Sequence, residues 1–339
     1  MQKAIVVSEV GKPAIAITRR IPQPKANELL LRVTTTSLNP ADQKTRDAGL
    51  FFNQPNQFLG HELAGEIIAL GEEVGVTNTP PCKFTLGDRV VAQANFSPGQ
   101  VLDDAGALQQ YTVVDARFAA RIDGALGVSD EKAVTIPVCA IASFIALFGP
   151  AGVGLGLPMP DVSVSVPSSF ARMAGFGRIV TTAAARNEAE LKSLGATHVI
   201  DRHGGYADTL AQIRAVTGDE LVHVLDAVNL APGHKLGLAA LSRTERGCLV
   251  TLNRVREGGF GEAEIGVKSA GYEYRMTVGF SALYPEVAGV FWERVMEWVR
   301  DRVVRPLAFR RVEGLDAAVV NGILDGYRDG GGEKVVFRV

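Results

Sequence analysis

The segment "DVSVSVPSSFARMAGFGRIVTTAA", residues 161–184, decides how the second half of the chain folds. The letters "VSVSV" predict a strand, "SSFARMAG" a short helix and "RIVTTA" a second strand. This order begins a dinucleotide-binding unit, in which the turn after the first strand carries glycines that let the backbone approach a pyrophosphate. Here the turn carries Pro167, Ser168 and Ser169 instead, so the sequence predicts the fold of a nucleotide site without its usual loop.

The connection between these two strands is also short. It comprises 11 residues, 167–177, which lies at the lower limit of roughly 10–12 residues for a parallel crossover. The helix within it can have only two turns or so. Three interpretations stay open: an error in the gene sequence, a real deletion that leaves a weak cofactor site, or a site that no longer binds nucleotide.

The regions on either side of this segment differ in pattern. From residue 130 to 281, strands alternate with helices, which predicts a right-handed parallel sheet. Residues 1–125 carry short strand signals separated by turns and predict a β-rich unit. Residues 282–339 predict two helices and a final strand, and the first helix has apolar residues at helical spacing, namely Phe291, Val295, Trp298 and Val299.

The composition excludes several classes of function. The chain has 339 residues, of which 47% are hydrophobic and 21% charged, and its net charge is −2; these values are typical of a globular protein with about two domains. No run of Lys or Arg interleaves with aromatic residues, so neither a nucleic-acid surface nor an acidic membrane surface is expected. The apolar run near residues 136–158 is broken by Ser, Gly and Pro, and no signal peptide is recognised. The sequence therefore predicts a cytoplasmic protein without a membrane span.

Cysteine usage points to a reduced protein. Cys82, Cys139 and Cys248 are far apart and lack CxxC spacing. They can build neither a disulfide framework nor a four-cysteine zinc lobe. Each is expected to be a buried thiol.

Several segments together resemble the medium-chain dehydrogenase/reductase superfamily over essentially the whole chain. The resemblance implies an α/β fold with a GroES-like β-rich domain at residues 1–129 and 282–339. It also implies a Rossmann domain at residues 130–281, a doubly wound parallel sheet with a shortened first β-α unit. The sequence is most similar to the zinc-free, quinone-oxidoreductase-like branch, and there to the fungal trans-acting enoyl reductases of polyketide pathways. The segments that carry the likeness are "SLNPADQKTR", "FLGHELAGEIIALGEEV", "LGDRVV", "DAGALQQYTVV", "LGLPMP", "LGATHVID" and "GGEKVVFRV".

Zinc-dependent members of this superfamily hold a catalytic metal through a Cys, a His and a Cys. In this sequence Asn39 takes the place of the first Cys, while His61 and Cys139 match the other two ligands. A catalytic zinc needs three protein ligands and a water, and an amide is a poor replacement for a thiolate. We therefore expect no metal, with His61 satisfied by a hydrogen bond and Cys139 packed as a small core residue.

The end of the second Rossmann strand indicates which cofactor fits. NAD enzymes place an Asp or Glu there for the ribose hydroxyls, but this strand ends in Ala183–Ala185 and Arg186, and no carboxylate follows before Glu188. Small residues followed by an arginine suit a 2′-phosphate, because a guanidinium binds phosphate through two hydrogen bonds. Arg202 falls where relatives often place a residue facing the same phosphate. NADPH is therefore favoured over NADH, although each arginine can equally be a solvated surface residue.

The resemblance implies the other site residues by position. Lys44 matches a lysine near the nicotinamide ribose and the thioester carbonyl, where its ammonium can donate a hydrogen bond to an enolate oxygen. Ser143 matches a Thr or Ser of the same pocket, and Asn39 and Asp42 would support the loop. The alternatives are a surface lysine, a helix-packing serine and an Asp42 that caps the following turn. The implied catalytic residues are Lys44, Ser143 and Asn39, and the implied cofactor-binding residues are Ala41, Asp42, Gln43, Lys44, Ser168, Ser169, Ala184, Arg186, Arg202, Val228, Thr251, Leu252, Gly331 and Gly332.

The predicted function follows from these residues and the resemblance. We expect an NADPH-dependent, zinc-independent oxidoreductase that reduces an activated C=C bond in an enoyl thioester, an enone or a quinone. A polyketide synthase would present the substrate, and the protein would be a monomer or a homodimer. The alternative is a cofactor-free member of the superfamily that acts as a binding or non-redox protein, because the glycine-rich loop is missing.

Overall fold

A computed structural model describes residues 1–52, 54–75, 84–95, 106–159, 169–328 and 332–339. The chain divides into two compact units. The first unit comprises residues 1–141, 280–300 and 305–339, and the second comprises residues 142–279 and 301–304.

Strands dominate the first unit, as the β-branched and apolar runs predict. They are β1 (Gln2–Val7), β2 (Ile15–Arg19), β3 (Glu28–Leu38), β4 (Gln57–Phe58), β5 (Glu62–Leu70), β6 (Arg89–Gln93), β7 (Tyr111–Asp115), β8 (Ala119–Arg121), and the last two strands of the chain, Phe309–Glu313 and Lys334–Arg338. The strands of the second unit are β9 (Val180–Ala183), β10 (His198–Asp201), β11 (His223–Asp226), β12 (Gly247–Thr251) and β13 (Tyr272–Met276), so the two last strands are β14 and β15.

The helices follow the same division. Those that lie within the first unit are α1 (Pro40–Ala48), α2 (Asp130–Ala133), and two late helices, Pro285–Arg300 and Ala317–Gly326; α3 (Pro137–Phe148) runs across the boundary. Those of the second unit are α4 (Phe170–Met173), α5 (Glu188–Ser193), α6 (Gly205–Thr217), α7 (His234–Ala240) and α8 (Glu262–Ile265), so the late helices are α9 and α10.

The central sheet of the first unit joins distant parts of the chain. Its described strands lie in the order β14-β15-β3-β5-β6-β8, with β7 also paired to β3. The C-terminal strand β15 pairs antiparallel with β3, so that Val335 faces Leu38. The end of β3, which leads into α1, is therefore held by the last strand of the chain.

Helix α9 confirms the predicted amphipathic pattern. Phe291, Val295, Trp298 and Val299 are buried. Trp292, which is 1% exposed, donates a hydrogen bond from Nε1 to Ser281 Oγ over 2.9 Å.

Parallel strands make up the described sheets of the second unit. β9 pairs with β10, and β11, β12 and β13 form a three-stranded sheet. Helices α6 and α7 connect successive strands and bury Ile213, Leu238 and Ala240. The mixed α/β architecture with a GroES-like unit and a Rossmann-like parallel sheet confirms the predicted fold class.

The first β-α unit differs from the expectation. The predicted strand "VSVSV" and residues Pro167 and Ser168 lie outside the described residues. The helix that follows, α4, has four residues, which is one turn rather than the two or so predicted. Ser169, directly before it, has a φ of 47°, a left-handed conformation that is costly for a residue with a Cβ.

The predicted helix at residues 129–148 is interrupted near Pro137. Proline lacks an N–H and disfavours helical conformation in the residue before it, so α2 ends at Ala133 and α3 begins at Pro137. The segment Asp130–Phe148 is long and apolar enough to cross a membrane by length and composition alone. However, 72% of its apolar window is buried within the protein, as in the core helix of a soluble protein.

An ion-pair network holds α1 against α10. Arg46, whose side chain is 3% exposed, lies 2.6 Å from Asp47 and 2.7 Å from Asp325. Arg328 also donates to Asp47 over 2.6 Å. Partial burial would raise the pKa of the Asp47 carboxyl, but the hydrogen bonds from Arg328, Arg46 and Gln43 outweigh it and hold that pKa well below its usual range.

We predict that Asp47 makes the protein sensitive to acid. A depressed carboxyl pKa stabilises the folded state above the unfolded pKa of about 3.9, and the stabilisation is lost as the pH falls towards the folded pKa. Asp47→Asn is expected to lower the free energy of unfolding at pH 7 by about 2 kcal/mol. The difference from wild type should shrink as the pH falls below about 4.

Denaturant titrations between pH 7 and pH 3 measure this effect. Glu72→Gln, at an exposed position of the same unit, serves as the control and should leave the pH profile unchanged. Equal destabilisation of Asp47→Asn at pH 7 and pH 3 would contradict the prediction.

Candidate active site

Helix α1 begins with two buried polar side chains. Asn39, 4% exposed, precedes the helix, and its backbone N–H donates to Asp42 Oδ2 over 2.8 Å. The backbone N–H of Gly60 donates to the other oxygen of Asp42 over 2.7 Å. Asp42 is fully buried, and because it accepts the N–H of Asn39 it caps the start of α1, which is the alternative role that the sequence offered.

The Asn39 side chain belongs to a buried charged cluster, which we call the Glu62 cluster: Ser37, Asn39, Glu62, Val138 and Lys334. Glu62 is fully buried and accepts hydrogen bonds from Ser37 Oγ (2.6 Å), Asn39 Nδ2 (2.9 Å), the Val138 N–H (2.8 Å) and Lys334 Nζ. Lys334 Nζ also donates to Asn39 Oδ1 over 2.7 Å. Both charges are thus paired and hydrogen-bonded, as a buried ion pair requires.

The positions that match zinc ligands do not form a metal site. Asn39 is bound on both its oxygen and its nitrogen by Lys334 and Glu62. No group of three His, Cys, Asp or Glu side chains among the described residues is placed to hold a metal ion. These residues therefore do not fit a catalytic zinc.

Two expectations at these positions are wrong. His61 is buried, but its Nε2 finds no hydrogen-bond partner among the described residues. Asp42 Oδ1 lies 3.6 Å away, and each oxygen of Asp42 accepts from a backbone N–H group. Cys139 is exposed rather than part of the core. Desolvation of its thiol and the nearby Glu62 carboxylate still raise the Cys139 pKa. Cys248 is half-buried rather than buried. Cys82 lies outside the described residues, so its predicted burial stays a prediction.

The remaining predicted residues of α1 lie along one short helix. Ala41, Gln43 and Lys44 are half-buried. Gln43 Nε2 donates to Asp47 Oδ2 over 2.9 Å, which ties it to the ion-pair network of α1 and α10. Burial lowers the pKa of Lys44 from its ordinary value, so its ammonium gives up a proton more readily than that of a surface lysine. Ser143 lies half-buried on α3, in the second unit.

Gly332 lies where a side chain would not fit. Its φ is 144°, and a Cβ at this position would lie 2.3 Å from the Tyr327 ring. Burial raises the pKa of Tyr327 to about 12, so its hydroxyl remains protonated and donates to Glu333 O over 3.2 Å. Gly331 lies outside the described residues.

Two of the predicted residues, Ala184 and Arg202, lie directly after the carboxyl ends of the neighbouring strands β9 and β10. Ala183 pairs with Asp201 in the parallel register, so Ala184 and Arg202 follow neighbouring strand ends. Ala184 is buried, whereas Arg186 and Arg202 are exposed. The nearest following carboxylate, Glu188, is paired with Lys192 over 2.6 Å. The two strand ends thus carry two exposed arginines, which suit a phosphate, together with the carboxylate of Asp201.

A second group lies at the carboxyl ends of β11 and β12. Asp226 pairs with Thr251, and Val228, Thr251 and Leu252 lie at or just beyond these ends. Thr251 is fully buried, Leu252 is half-buried, and Val228 is 76% exposed. Open parallel sheets bind ligands at this edge.

Sequence reasoning missed the charged partners of these residues. The glycines of "GGEKVV" were identified, but Lys334 beside them was not, and "GHE" directed attention to His61 rather than to Glu62. Buried His234, next to Thr251, was also missed. The signal available was a charge at the first position of a strand, Glu62 in β5 and Lys334 in β15, directly before apolar residues, since a charge that is buried there needs a partner.

Comparison with known proteins identifies the family of the chain. Residues 25–124 match the alcohol dehydrogenase GroES-like domain family. A dehydrogenase of Monascus pilosus is 30% identical to the chain over 276 residues, which cover 74% of this chain and 70% of that protein. The chain belongs to the medium-chain dehydrogenase/reductase superfamily. Within that superfamily it is an oxidoreductase close to the trans-enoyl reductases.

Two further fungal relatives carry more specific names. A trans-enoyl reductase of Phaeosphaeria nodorum is 28% identical and covers 71% of this chain and 64% of its own length. The enoyl reductase component of lovastatin nonaketide synthase from Aspergillus terreus is 29% identical, with coverage of 74% and 69%. The chain thus spans 64–70% of the length of these three relatives.

Solved structures share the fold. A quinone oxidoreductase of Pseudomonas syringae pv. Tomato superposes with a TM-score of 0.72 at 20% identity, covering all of both chains. A mycobacterial protein complexed with NADPH superposes with a TM-score of 0.70 at 21% identity, again over all of both chains.

We predict that the Glu62–Lys334 pair is essential to the first unit. Lys334→Met would leave the buried Glu62 carboxylate without its cation and is expected to destabilise the unit by about 3–5 kcal/mol. Adding Glu62→Gln should recover part of the loss, because it removes the uncompensated charge. Denaturation can be followed by tryptophan emission, since both tryptophans lie in α9 of the first unit.

Lys132→Met, at an exposed position of the same unit, is the matched control and should change stability by less than about 0.5 kcal/mol. The prediction is wrong if Lys334→Met and Lys132→Met unfold at the same denaturant concentration.

Proposed function

We propose that the protein is an NADPH-dependent, zinc-independent oxidoreductase that reduces an activated C=C bond in an enoyl thioester, an enone or a quinone, as part of polyketide metabolism. Kinship with enoyl reductases and quinone oxidoreductases supports an oxidoreductase with a nicotinamide cofactor. One observation supports the 2′-phosphate in particular: Ala184, Arg186 and Arg202 lie at neighbouring strand ends, where an enzyme specific for NADH would have a carboxylate.

Two groups of described residues are proposed to bind this cofactor. Ala184, Arg186 and Arg202 would hold the adenosine phosphate, and Val228, Thr251 and Leu252 would line the nicotinamide side. Gly332 and the α1 residues Ala41, Asp42, Gln43 and Lys44 complete the proposed set. Ser169 would serve the pyrophosphate together with Ser168, and Gly331 would close over the cofactor with Gly332; Ser168 and Gly331 lie outside the described residues.

The protein's own part in the chemistry is to orient the substrate and to stabilise negative charge. NADPH, when bound, supplies the hydride. Reduction of a conjugated C=C bond places negative charge on the carbonyl oxygen, and the Lys44 ammonium is proposed to donate a hydrogen bond to that oxygen. Ser143 is proposed to line the same pocket, and the buried Asn39 fixes the start of the helix that carries Lys44.

The wider assignments belong to the same proposal. Residues 1–129 and 282–339 are proposed as the catalytic and substrate domain, and residues 130–281 as the dinucleotide-binding domain. A polyketide synthase would present an acyl thioester in the cytoplasm, as the name of the Aspergillus terreus relative suggests for that protein. The protein would act as a monomer or a homodimer.

The second candidate function is that of a cofactor-free binding protein. It is favoured by the strained Ser169 and the single turn of α4, since so short a helix has a small dipole to offer a pyrophosphate. Calorimetric titration with NADPH distinguishes the two candidates. Saturable micromolar binding supports the reductase, and no binding up to millimolar NADPH refutes it.

We predict that the two arginines set cofactor choice. Arg186→Ala and Arg202→Ala should each weaken NADPH binding about tenfold or more, because each removes charge-assisted hydrogen bonds to the 2′-phosphate. Binding of NADH, which lacks this phosphate, should change little. Arg178→Ala is the control, since Arg178 precedes the amino end of β9 and pairs with Glu220. Equal losses for NADPH and NADH would contradict the assignment.

We predict that Lys44 acts in the reduction step. Lys44→Met should lower kcat on an enoyl thioester by about 10²-fold, the usual effect of removing one donor to a developing oxyanion. The dissociation constant for NADPH should change less. Lys12→Met, at an exposed position, controls for loss of a surface charge, and an unchanged kcat for Lys44→Met would exclude the role.

A further inference from the structure

His234, the first residue of α7, is a fully buried histidine that the mechanism above does not use. Its ring lies next to the carboxyl ends of β11 and β12. Nε2 lies 2.7 Å from the backbone oxygen of Asn229 and 3.1 Å from Thr251 Oγ1, and Nδ1 contacts Tyr274 Oη. Both ring nitrogens are therefore engaged.

The partners define the tautomer of the ring. A backbone carbonyl can only accept, so Nε2 must carry the hydrogen and donate it to Asn229 O. Nδ1 then has a lone pair and accepts from the Tyr274 hydroxyl, whose oxygen in turn accepts from the Arg256 N–H over 3.2 Å. The neutral Nε2–H tautomer thus gives the Asn229 carbonyl a donor and the Tyr274 hydroxyl an acceptor.

Other polar groups bind the same short segment, residues 226–229. The Asp226 carboxylate accepts the N–H groups of Val228 (3.2 Å) and Asn229 (2.9 Å), and also the Asn229 side-chain amide (2.9 Å). The side-chain amide of Asn253, just beyond β12, donates to Val228 O over 3.3 Å and to Asn229 O over 2.9 Å. The backbone is therefore bound from both neighbouring strand ends and, through His234, from the protein interior.

Segment 226–229 carries an apolar side chain that is exposed, and a second one follows directly after the segment. Val228 is 76% exposed and Leu230 is 65% exposed, at the sheet edge where parallel strands bind ligands. An exposed loop needs no buried histidine to fold, because water can satisfy its backbone groups. A rigid exposed surface at this edge is useful where a ligand must be held in one geometry.

We propose that His234 is a positioning residue that fixes the 226–229 backbone, and with it Val228, against the nicotinamide end of the cofactor. The inference rests on the proposed function only in assigning Val228 to the nicotinamide side. His234 touches neither cofactor nor substrate and acts through the Asn229 carbonyl.

Hydrogen exchange of the full-length protein tests the positioning without any ligand. His234→Phe keeps a ring but leaves the Asn229 carbonyl without its histidine donor, so amide exchange at residues 226–230 should become at least about tenfold faster. His234→Gln carries an amide N–H and should restore part of the protection. Tyr274→Phe removes the partner of Nδ1 and the acceptor of the Arg256 N–H but leaves the bond to Asn229 O, so it should have a smaller effect. His198→Phe, at an exposed histidine on β10, should have none.

Kinetics distinguish positioning from simple packing. His234→Phe is expected to lower kcat about tenfold or more while the NADPH dissociation constant changes less, because a small displacement costs orientation more than affinity. Unchanged exchange at residues 226–230 in folded His234→Phe overturns the proposal, and so does a loss of affinity with no loss of kcat. If the wild-type protein binds no NADPH, the proposed function fails, and the exchange data still decide the role of His234.

A measurement on the wild-type protein covers the case in which His234→Phe does not fold. Ring ¹⁵N chemical shifts should show a protonated Nε2 and an unprotonated Nδ1 for His234, together with slow exchange at residues 226–230. The opposite tautomer, or fast exchange of these amides, refutes the proposal.

Discussion

The buried ion pair between Glu62 and Lys334 is the interaction on which the first unit depends. Its hydrogen bonds join the end of β3 through Ser37, the start of α1 through Asn39, the start of α3 through Val138 and the last strand through Lys334. Because an unpaired buried charge is so costly, each of these elements must be in place before the others are stable. The position of α1, the helix that carries Lys44, therefore depends on Lys334 in the last strand.

The same cluster explains how a fold that elsewhere holds a metal can be built without one. Where an amide replaces a thiolate, a cation is still present, but it is an ammonium supplied by the chain. Lys334 binds both Asn39 and Glu62, so the charge of the Glu62 carboxylate is paired within the cluster. Among the described residues His61 Nε2 has no hydrogen-bond partner, while both oxygens of the neighbouring Asp42 accept from backbone N–H groups.

Local patterns predicted the elements well, and long-range pairs poorly. The apolar spacing of α9 and the strand character of β15 follow from neighbours a few positions apart, which a sequence displays directly. The ends of β9 and β10 could also be predicted, since parallel strands bring consecutive carboxyl ends together. In contrast, Glu62 and Lys334 are 272 positions apart, and no periodicity relates them. The strain at Ser169 and the tautomer of His234 were equally invisible, because both depend on backbone geometry rather than on residue type.

The position of β15 between β14 and β3 has a consequence for the synthesis of the protein. The ribosome synthesises the chain from the N-terminus to the C-terminus, so Glu62 emerges long before Lys334. During that interval the nascent first unit holds a carboxylate whose cation has not yet been made, and its sheet lacks the strand that borders β3. The first unit can therefore complete its sheet and its ion pair only after translation has passed residue 334. A chain that stops earlier would keep an unpaired acid and an open sheet edge, which are features that cellular quality control recognises as unfinished.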